Sequence, residues 1–432
     1  MSSLLLGANL PLVKRQNRSL VLRILLHHGP ISRTEICEMT HLTPATISNV
    51  IGELQEGNLV VELGSVQRAE APRLGRRRLL VDLNSRGWFA VGVYLGIRTI
   101  QVGIGDLRGR VLGHFSVPSG GQHSLGAVLA LIREQMQALL AQTQIPRLRL
   151  CGVGLGSVGL VDSADGVIVD LPQYGWREVP IKAELEARLG LPVAVDNSRR
   201  AMATAEAWLG PRQELDSVLL VHVATTIGGA VVYQHDVLHG ANYAAGQLGH
   251  LIVAEGGERC ACGRHGCLDT VASGAAIVAQ AARAAQEGRS PALLALTNGR
   301  PDGMLFHHVF AAAEQGDPVA QAIIARSADY VGRGVAHYVS LFDPEAVVLT
   351  GAVAILGGEE YRRRVSAVVE ERAYRPSGSA VALLPSSFGG ELEIVGPLSL
   401  ALRQFVYSSD SWSLASAGAQ RAPAVERLAA TI

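Results

Sequence analysis

Apolar residues in the first sixty positions recur at intervals of three and four, the spacing that places side chains on one face of a helix. The pattern predicts three short amphipathic helices, each with one buried stripe. The predicted stripes are Leu20, Val21, Ile24 and Leu25 in the first helix, Ile36 and Met39 in the second, and Ile47, Val50, Ile51 and Leu54 in the third.

Capping residues predict where these helices begin and end. Gly29-Pro30 stops the first helix, and Ser32 with Glu35 forms the capping-box pattern that opens the second. Thr43 is the expected N-cap of the third helix, because Pro44 follows it at the first helical position, where proline is favoured.

Three short helices with a tight turn between the second and third are typical of a helix-turn-helix DNA-binding domain. Residues 60–63 and 77–81 predict two strands of a wing behind the third, recognition helix. The residues that we expect to contact DNA are Arg33, Thr43, Ala45, Thr46, Ser48, Asn49, Arg76, Arg77 and Arg78. A three-helix packing module with a solvated basic loop is the alternative.

Charge strengthens the DNA-binding interpretation locally. The net charge of the chain is zero, but residues 1–84 carry ten Lys and Arg against seven Asp and Glu. Five arginines lie within residues 68–78, opposed only by Glu70. Arginines beside a wing are well placed to enter a narrow minor groove.

The pattern changes after Trp88 to short apolar runs that predict strands. One group comprises strands at 89–95, 100–106 and 111–117, a helix at about 125–140 and a strand at 148–155. A similar order recurs with strands at 217–224 and 229–232, a short third run, helices, and a strand at 346–350. Two such halves predict an α/β, actin-like (ribonuclease H-like) fold with two lobes and a cleft. We therefore expect domains at 1–84 and 85–407, and an unassigned tail at 408–432.

Composition excludes two other classes of protein. No stretch approaches the ~20 apolar residues that span a bilayer. The basic residues near the N-terminus follow a short apolar run, whereas in a signal peptide they precede it. We expect a cytoplasmic protein without a membrane partner.

One imidazole and three thiols lie within eighteen residues: His250, Cys260, Cys262 and Cys267. This donor set makes a closed tetrahedral zinc site, and the glycines between the ligands let a short loop fold around a small ion. A site without an open position is typically structural, so the sequence predicts structural zinc in the loop 250–267. Free thiols in a loop are the alternative.

The stretch around this cluster, GHLIVAEGGERCACGRHGCLDTVAS, resembles the signature of the ROK family (repressors, open reading frames, kinases). Further segments similar to family motifs are GVGLGSVGLVDSADGVI, LPQYGW, LPVAVDNSRRAMATAEAWLG and FDPEAVVLTGAVA. The helices that end in GRRRLLVDLN resemble the winged helix-turn-helix of the family's regulator branch, which includes xylose-, N-acetylglucosamine- and glucose-responsive repressors. The resemblance implies a sugar-kinase fold behind a DNA-binding head.

The chain departs from the family pattern where the resemblance implies kinase chemistry. Tyr94 stands at the acidic position of the first phosphate loop, and Ile97 replaces one of its glycines. Asn197 matches the family, but Ser198 follows it where the catalytic aspartate is expected. A hydroxyl is not basic enough near neutral pH to accept the proton of a sugar hydroxyl. We therefore expect no kinase activity.

The sugar pocket that the resemblance implies is also altered. Gln247 and Asp269 stand where the family places two glutamates, and both side chains can still bond hydroxyl groups. The residues expected to bind a sugar effector are Asn197, Ser198, Gln247, His250 and Asp269.

The leading hypothesis is a sequence-specific DNA-binding transcriptional regulator, a repressor, controlled by a sugar or sugar derivative. It would bind a palindromic operator in double-stranded DNA as a homodimer or a dimer of dimers. The alternative is an ATP-dependent sugar kinase with an added DNA-binding head, in which Asp196 would have to act as the base. A third hypothesis is a vestigial sugar site on a dimerisation scaffold.

Overall fold

The N-terminal head contains three helices and a small antiparallel sheet. In the computed structural model, which describes residues 10–63, 79–119, 124–211, 214–376 and 379–409, the elements of the head are α1 (Leu10–His28), β1 (Ile31–Ser32), α2 (Arg33–Thr40), α3 (Pro44–Glu56), β2 (Val60–Leu63) and β3 (Leu80–Leu83). The strand order is β1-β3-β2. The head is thus a winged helix-turn-helix, as predicted.

Local capping rules position these helices. The Ser32 side chain accepts a hydrogen bond from the amide of Glu35, whose carboxylate bonds back to Ser32, so the predicted capping box is confirmed. Thr43 caps α3 with Pro44 in the first turn, which is also as predicted. Each interaction satisfies amide groups that a helix N-terminus leaves unpaired.

Two residues that we predicted to be buried, Leu20 and Met39, are exposed. Leu20 is 38% exposed, whereas Leu22 is fully buried. The stripe of α1 is centred on Val21, Leu22 and Leu25, and a residue one position before Val21 is turned about 100° away from it. Met39 is 45% exposed in the last turn of α2.

The second wing strand lies three residues later than predicted. It begins at Leu80 and ends at Leu83, because it pairs residue for residue with β2, from Leu80 opposite Leu63 to Leu83 opposite Val60. The buried alternation falls on Val81 and Leu83. Arg76, Arg77 and Arg78 lie outside the described residues.

Contacts within the chain divide it into two compact units. The first comprises Met1–Ser198 with Pro397–Ile432, and the second comprises Arg199–Gly396. The chain therefore crosses between the units inside two helices. None of the helices in the described part of the chain is long and apolar enough to cross a bilayer.

The first lobe adds ten elements to the head. They are β4 (Phe89–Leu95), β5 (Thr99–Asp106), β6 (Val111–Pro118), α4 (Leu125–Thr143), β7 (Leu150–Ser157), β8 (Leu160–Asp162), β9 (Val167–Leu171), β10 (Trp176–Val179), α5 (Ile181–Leu189) and β11 (Val193–Asn197). The main sheet has the order β11-β7-β4-β5-β6, and β10-β9-β8 form a small one. Strand β4 is buried along its whole length, as expected for a strand covered on both faces.

The second lobe repeats this topology. Its elements are α6 (Ser198–Trp208), β12 (Ser217–Val223), β13 (Ile227–Tyr233), β14 (Asp236–Val237), α7 (Leu268–Ala272), α8 (Gly274–Gln286), α9 (Pro291–Leu296), α10 (Phe306–Glu314), α11 (Pro318–Phe342), β15 (Ala346–Thr350), α12 (Ala352–Arg372), β16 (Ala382–Pro385) and α13 (Leu392–Leu402). The sheet order β16-β15-β12-β13-β14 matches that of the first lobe strand for strand. The predicted actin-like α/β fold with two related halves is therefore confirmed.

Helix α13 returns to the first unit and packs on its sheet without room for side chains between them. A Cβ atom at Gly154 in β7 would lie 1.8 Å from the carbonyl oxygen of Pro397, and one at Gly152 would lie 2.3 Å from the ring of Phe405. Gly154 thus lets the backbone of α13 contact the sheet directly, and Gly152 leaves room for the ring of Phe405, which follows the helix.

We expect Gly154→Ala to lower the unfolding free energy by at least about 2 kcal/mol, because the added methyl group meets backbone rather than a movable side chain. Gly126→Ala is the matched control: Gly126 is exposed in the first turn of α4, with no atom within 4 Å of a Cβ there. The control substitution should leave stability equal or up to about 1 kcal/mol higher. Chemical denaturation measures both, and equal stability of the two variants would contradict the packing described.

Candidate functional sites

The exposed side of helix α3 carries small polar residues at its N-terminal end. Thr43, Ala45, Ser48 and Asn49 are exposed, whereas the stripe on the opposite side is buried in the head. Thr46 is partly exposed, and its hydroxyl lies 2.9 Å from that of Thr43. A helix with this surface can approach base edges closely, because no long side chain holds it away from a major groove.

Arg33 has a partner inside the head. Its Nη2 lies 2.6 Å from Oε1 of Glu62 on β2, so the pair ties α2 to the wing. About a third of each side chain is exposed. The guanidinium group thus has a partner within the head. The predicted contact of Arg33 with DNA stays a prediction.

The four predicted metal ligands lie together in the second unit. Their ligand atoms all fall within 4.8 Å of one another. Nδ1 of His250 is 3.6 Å from Sγ of Cys260, and Sγ of Cys262 is 3.6 Å from Sγ of Cys267. Ligand atoms around a tetrahedral zinc ion are separated by about 3.7 Å. The cluster therefore fits a small metal ion held by one nitrogen and three sulfur atoms.

Backbone contacts shape the loop before any ion binds. The amide of Cys260 donates to the carbonyl of Arg264 at 2.7 Å, and the amide of Gly266 donates to the carbonyl of Glu258 at 3.0 Å. A Cβ atom at Gly266, where φ is +72°, would lie 1.7 Å from the carbonyl oxygen of Ala254. Only glycine allows both this φ and this close approach.

The thiols of the cluster differ in acidity. Burial acts to raise the pKa of Cys262, but hydrogen bonds with Arg264 and with the other thiols outweigh it and lower that pKa to about 7. Burial, followed by interactions with the neighbouring thiols, raises the pKa of Cys267 to about 12. Three thiolates crowded together repel one another, and a divalent cation removes that repulsion.

Asp269 and Gln247 lie on either side of this loop in sequence, and they differ in what they contact. Oδ1 of Asp269 accepts a 2.6 Å hydrogen bond from the amide of Ile227 at the start of β13. Burial raises the pKa of Asp269, although the Ile227 amide and the charges of His250 and Arg199 oppose that shift. Gln247 is exposed. Asp269 thus stabilises the start of β13, whereas Gln247 is exposed to solvent.

In the first lobe, two tyrosines surround the connection between β4 and β5. A Cβ atom at Gly96 would lie 2.6 Å from Cε1 of Tyr94, so the Tyr94 ring covers the glycine. The Tyr174 hydroxyl donates to the carbonyl of Gly96 at 2.8 Å. Ile97 packs against the core of the lobe. The connection is filled by side chains of the chain itself.

Asn197 and Ser198 lie at the end of β11 and the beginning of α6. Nδ2 of Asn197 donates to the carbonyl of Gly159 at 2.8 Å, and Ser198 is fully buried. Asp196 is 5% exposed, and one of its carboxylate oxygens accepts from the Asn197 amide at 2.7 Å. These three residues belong to the first unit. Gln247, His250 and Asp269 belong to the second.

Arg199 is a buried charged residue that was not predicted from the sequence. Its side chain is 7% exposed and donates to the Thr226 hydroxyl at 2.8 Å. A Cβ atom at Gly228 would lie 2.8 Å from Nε of Arg199, so the arginine fills the turn between β12 and β13. Two consecutive arginines directly after a buried strand were the available signal, since a charged side chain at such a position needs a partner.

Comparison with known proteins identifies the body of the chain. The model of the ROK family matches residues 90–404. The chain belongs to the ROK family. The model of the MarR family matches residues 13–71, which include α2, α3 and all but the first three residues of α1.

The relatives include both ROK regulators and ROK kinases. The chain is 29% identical over 372 residues to a putative xylose repressor of Caldicellulosiruptor sp. (strain Rt8B.4), with 85% of this chain and 90% of that protein covered. A crystal structure of a ROK family transcriptional regulator, a homologue of the E. coli MLC protein, superposes with a TM-score of 0.78 at 28% identity and covers 94% of this chain and 99% of that one.

A ROK family glucokinase from Streptomyces griseus, crystallised with glucose and AMPPNP, superposes with a TM-score of 0.66 at 30% identity. It covers 73% of this chain and 99% of its own. The kinase thus corresponds to the ROK body, whereas the regulator also spans the head.

We expect the purified protein to carry about one metal ion per chain, measured by inductively coupled plasma mass spectrometry. Cys260→Ser should abolish the bound metal and lower the melting temperature, because the remaining thiols lose their common cation. Cys37→Ser is the control, since Cys37 lies in α2 of the head, and it should leave the metal content unchanged.

The same cluster should bind metal more weakly as the pH falls. The ion must displace protons from thiols, including that of Cys267 with its pKa of about 12. Calorimetry in two buffers of different ionisation enthalpy should therefore detect proton release on metal binding. A metal affinity independent of pH would contradict coordination by these thiols.

Proposed function

We propose that the chain is a DNA-binding transcriptional repressor that responds to a sugar or sugar derivative. The observation that carries the proposal is the small, polar, exposed face of α3 on a MarR-type head, joined to a ROK body. The protein acts in the cytoplasm, where residues 1–84 bind a palindromic operator. Residues 85–407 bind the effector and form the interface of a homodimer or a dimer of dimers. The proposed DNA contacts are Arg33, Thr43, Ala45, Thr46, Ser48, Asn49, Arg76, Arg77 and Arg78.

The proposed effector is a carbohydrate, recognised through hydroxyl groups. The glucose bound to the S. griseus ROK glucokinase and the printed names of the repressor relatives support this class of ligand. Gln247 offers an exposed amide that can donate and accept, and the second oxygen of Asp269 can accept a further hydrogen bond. Asn197, Ser198 and His250 complete the proposed set.

The proposed metal is zinc in a structural role. Three thiolates and one imidazole leave no position for a substrate or a water molecule on a four-coordinate ion. Zinc would hold the loop between Gln247 and Asp269 in one conformation and would perform no chemistry itself.

We further propose that the ROK body has no kinase activity. The Tyr94 ring covers Gly96, and the amide of Gly96 already donates to the carbonyl of Thr99 at 3.0 Å, so this amide is not available to a nucleotide phosphate. Ser198 offers no base. In a coupled assay that detects ADP, the protein should release none above background with any hexose or amino sugar. Turnover that Asp196→Ala abolishes would instead favour the kinase alternative.

Operator binding is tested with a mobility shift on DNA from upstream of the gene. The double substitution Ser48→Ala and Asn49→Ala should weaken specific binding by at least about 30-fold, since two base contacts are lost and each costs about 1–3 kcal/mol. Gln55→Ala, in the last turn of the same helix, is the control and should bind as the wild type does. Equal binding of all three proteins would exclude the proposed face of α3.

The effector is sought with a thermal-shift screen of monosaccharides and their phosphates, because a ligand that binds only the folded state raises its melting temperature. Gln247→Ala should reduce the affinity for the hit while leaving the melting temperature of the free protein unchanged, since Gln247 is exposed. Gln286→Ala, an exposed glutamine at the end of α8, is the control. DNA binding that no sugar alters would contradict the regulatory half of the proposal.

A further inference from the structure

The head and the first lobe are joined by a folded turn. The amide of Asn84, just after β3, donates to the carbonyl of Leu59 at 2.9 Å, and the amide of Gly87 donates to the carbonyl of Asn84 at 2.9 Å. A Cβ atom at Gly87 would lie 1.8 Å from the carbonyl oxygen of Asn58. Backbone packed this closely does not act as a loose tether.

The first residue after this turn holds the end of the recognition helix. The indole Nε1 of Trp88 donates to the carbonyl of Gly57 at 2.7 Å, and Gly57 is the C-cap of α3. Trp88 is 8% exposed and leads directly into β4. The C-terminal end of α3, whose carbonyl groups lack helical partners, thus contacts the sheet of the first lobe.

The turn between β5 and β6 is built to project one arginine. Oδ1 of Asp106 accepts hydrogen bonds from the amides of Arg108 at 2.8 Å and Arg110 at 3.0 Å. Gly109 adopts φ +75° between them. Asp106 is buried, and burial raises its pKa. These bonds fix the backbone of the turn.

Arg108 bonds three groups of the head at once. Its Nη1 donates to the carbonyl of Leu26 at 3.0 Å, and its Nη2 donates to that of Leu25 at 3.4 Å. Nη2 also pairs with the carboxylate of Asp82 on β3. A cation is favoured at the C-terminal end of α1, and the planar guanidinium group can reach carbonyls and a carboxylate together. Less than a fifth of either charged side chain is exposed.

The same turn contacts the head a second time through the C-terminal segment. The Tyr407 hydroxyl donates to the carbonyl of Leu107 at 2.5 Å, and the carbonyl of Tyr407 accepts from the hydroxyl of Ser19 in α1. Tyr407 is 1% exposed. Helix α1 is therefore held at its middle by Tyr407 and at its end by Arg108.

We propose that Arg108 is a positioning residue that fixes the head on the first lobe, so that the ROK body sets the spacing between the two operator half-sites. The inference rests on the proposed function as a dimeric operator-binding protein. A docked head can turn only with its lobe, and each inserted base pair rotates one half-site by about 35° relative to the other. A tethered head would follow that rotation, whereas a docked head would lose contact.

The test is a series of palindromic operators whose half-site separation increases by one base pair at a time over a full turn. The wild type should bind its best spacing at least about 10-fold more tightly than one shifted by half a turn, because only one rotation suits two docked heads. Arg108→Ala should reduce this ratio to less than about 3-fold, because the remaining flexibility admits several rotations. Its affinity for a single half-site should stay that of the wild type, since Arg108 lies outside the DNA-contacting set.

Arg110→Ala is the matched control. Arg110 belongs to the same turn and is exposed, so this variant should keep the spacing ratio of the wild type. Arg108→Lys should restore only part of the ratio, because an ammonium group keeps the charge but cannot reach all three partners. A spacing ratio that Arg108→Ala leaves unchanged would overturn the proposal, as would an equal loss in Arg110→Ala.

Amide hydrogen exchange without DNA provides a readout independent of the operator. Arg108→Ala and the milder Asp82→Asn should accelerate exchange in the last turn of α1 and in β3, and leave exchange in β12 and β15 as it is. Unchanged exchange in the head would overturn the docking. Docking confirmed by exchange, with no DNA bound at any spacing, would contradict the proposed operator binding instead.

Discussion

The close approach of Pro397 to Gly154 is the constraint on which the first unit depends. Because β7 has no side chain at this position, helix α13 lies directly on the sheet. The π-helical segment Arg403–Tyr407 that follows brings Tyr407 against α1 and the β5–β6 turn. A larger residue at Gly154 would move the helix away from the sheet and with it the support of the head. The head, the first lobe and the C-terminal helix therefore form a single packed body.

This packing gives the regulator hypothesis a mechanical basis. An effector alters operator affinity only by as much as it discriminates between two states of the protein. A head on a loose tether would hardly distinguish those states, since it could adopt the same position in both. The contacts of Trp88, Arg108 and Tyr407 couple the orientation of α3 to the lobe that carries it, so any rotation of the lobe is also a rotation of the head.

Two connections in the ROK body bear on the proposed absence of kinase activity. In the first lobe, Tyr94 and Tyr174 fill and bond the connection at Gly96. In the second, the side chain of Arg199 fills the turn at Gly228 and bonds Thr226. Side chains of the chain itself thus fill the β4–β5 connection at Gly96 and the β12–β13 turn at Gly228. The metal-ligand cluster, the exposed Gln247 and the carboxylate of Asp269 all belong to the second unit.

Features governed by near neighbours could be predicted from the sequence. The capping box at Ser32, the Thr43 cap and the clustering of His250 with three cysteines all follow from spacings of a few to eighteen residues. Two predictions were wrong where tertiary contacts decide. Strand β3 begins at Leu80, where it pairs with Leu63 of β2. Leu20 is exposed because the buried face of α1 is centred on Val21, Leu22 and Leu25.

Contacts between distant residues were decided only by the tertiary structure. Arg108 meets Asp82 across 26 residues, and Tyr407 meets Leu107 across 300. Nothing in the periodicity of either segment marks these side chains, since an arginine in a turn and a tyrosine near a C-terminus are ordinary residues until the fold brings their partners within reach. The sequence by itself determined which chemical groups the head, the metal loop and the β4–β5 connection contain. The folded chain alone determined that the head is docked, because docking depends on hydrogen bonds and packing between segments far apart in the sequence.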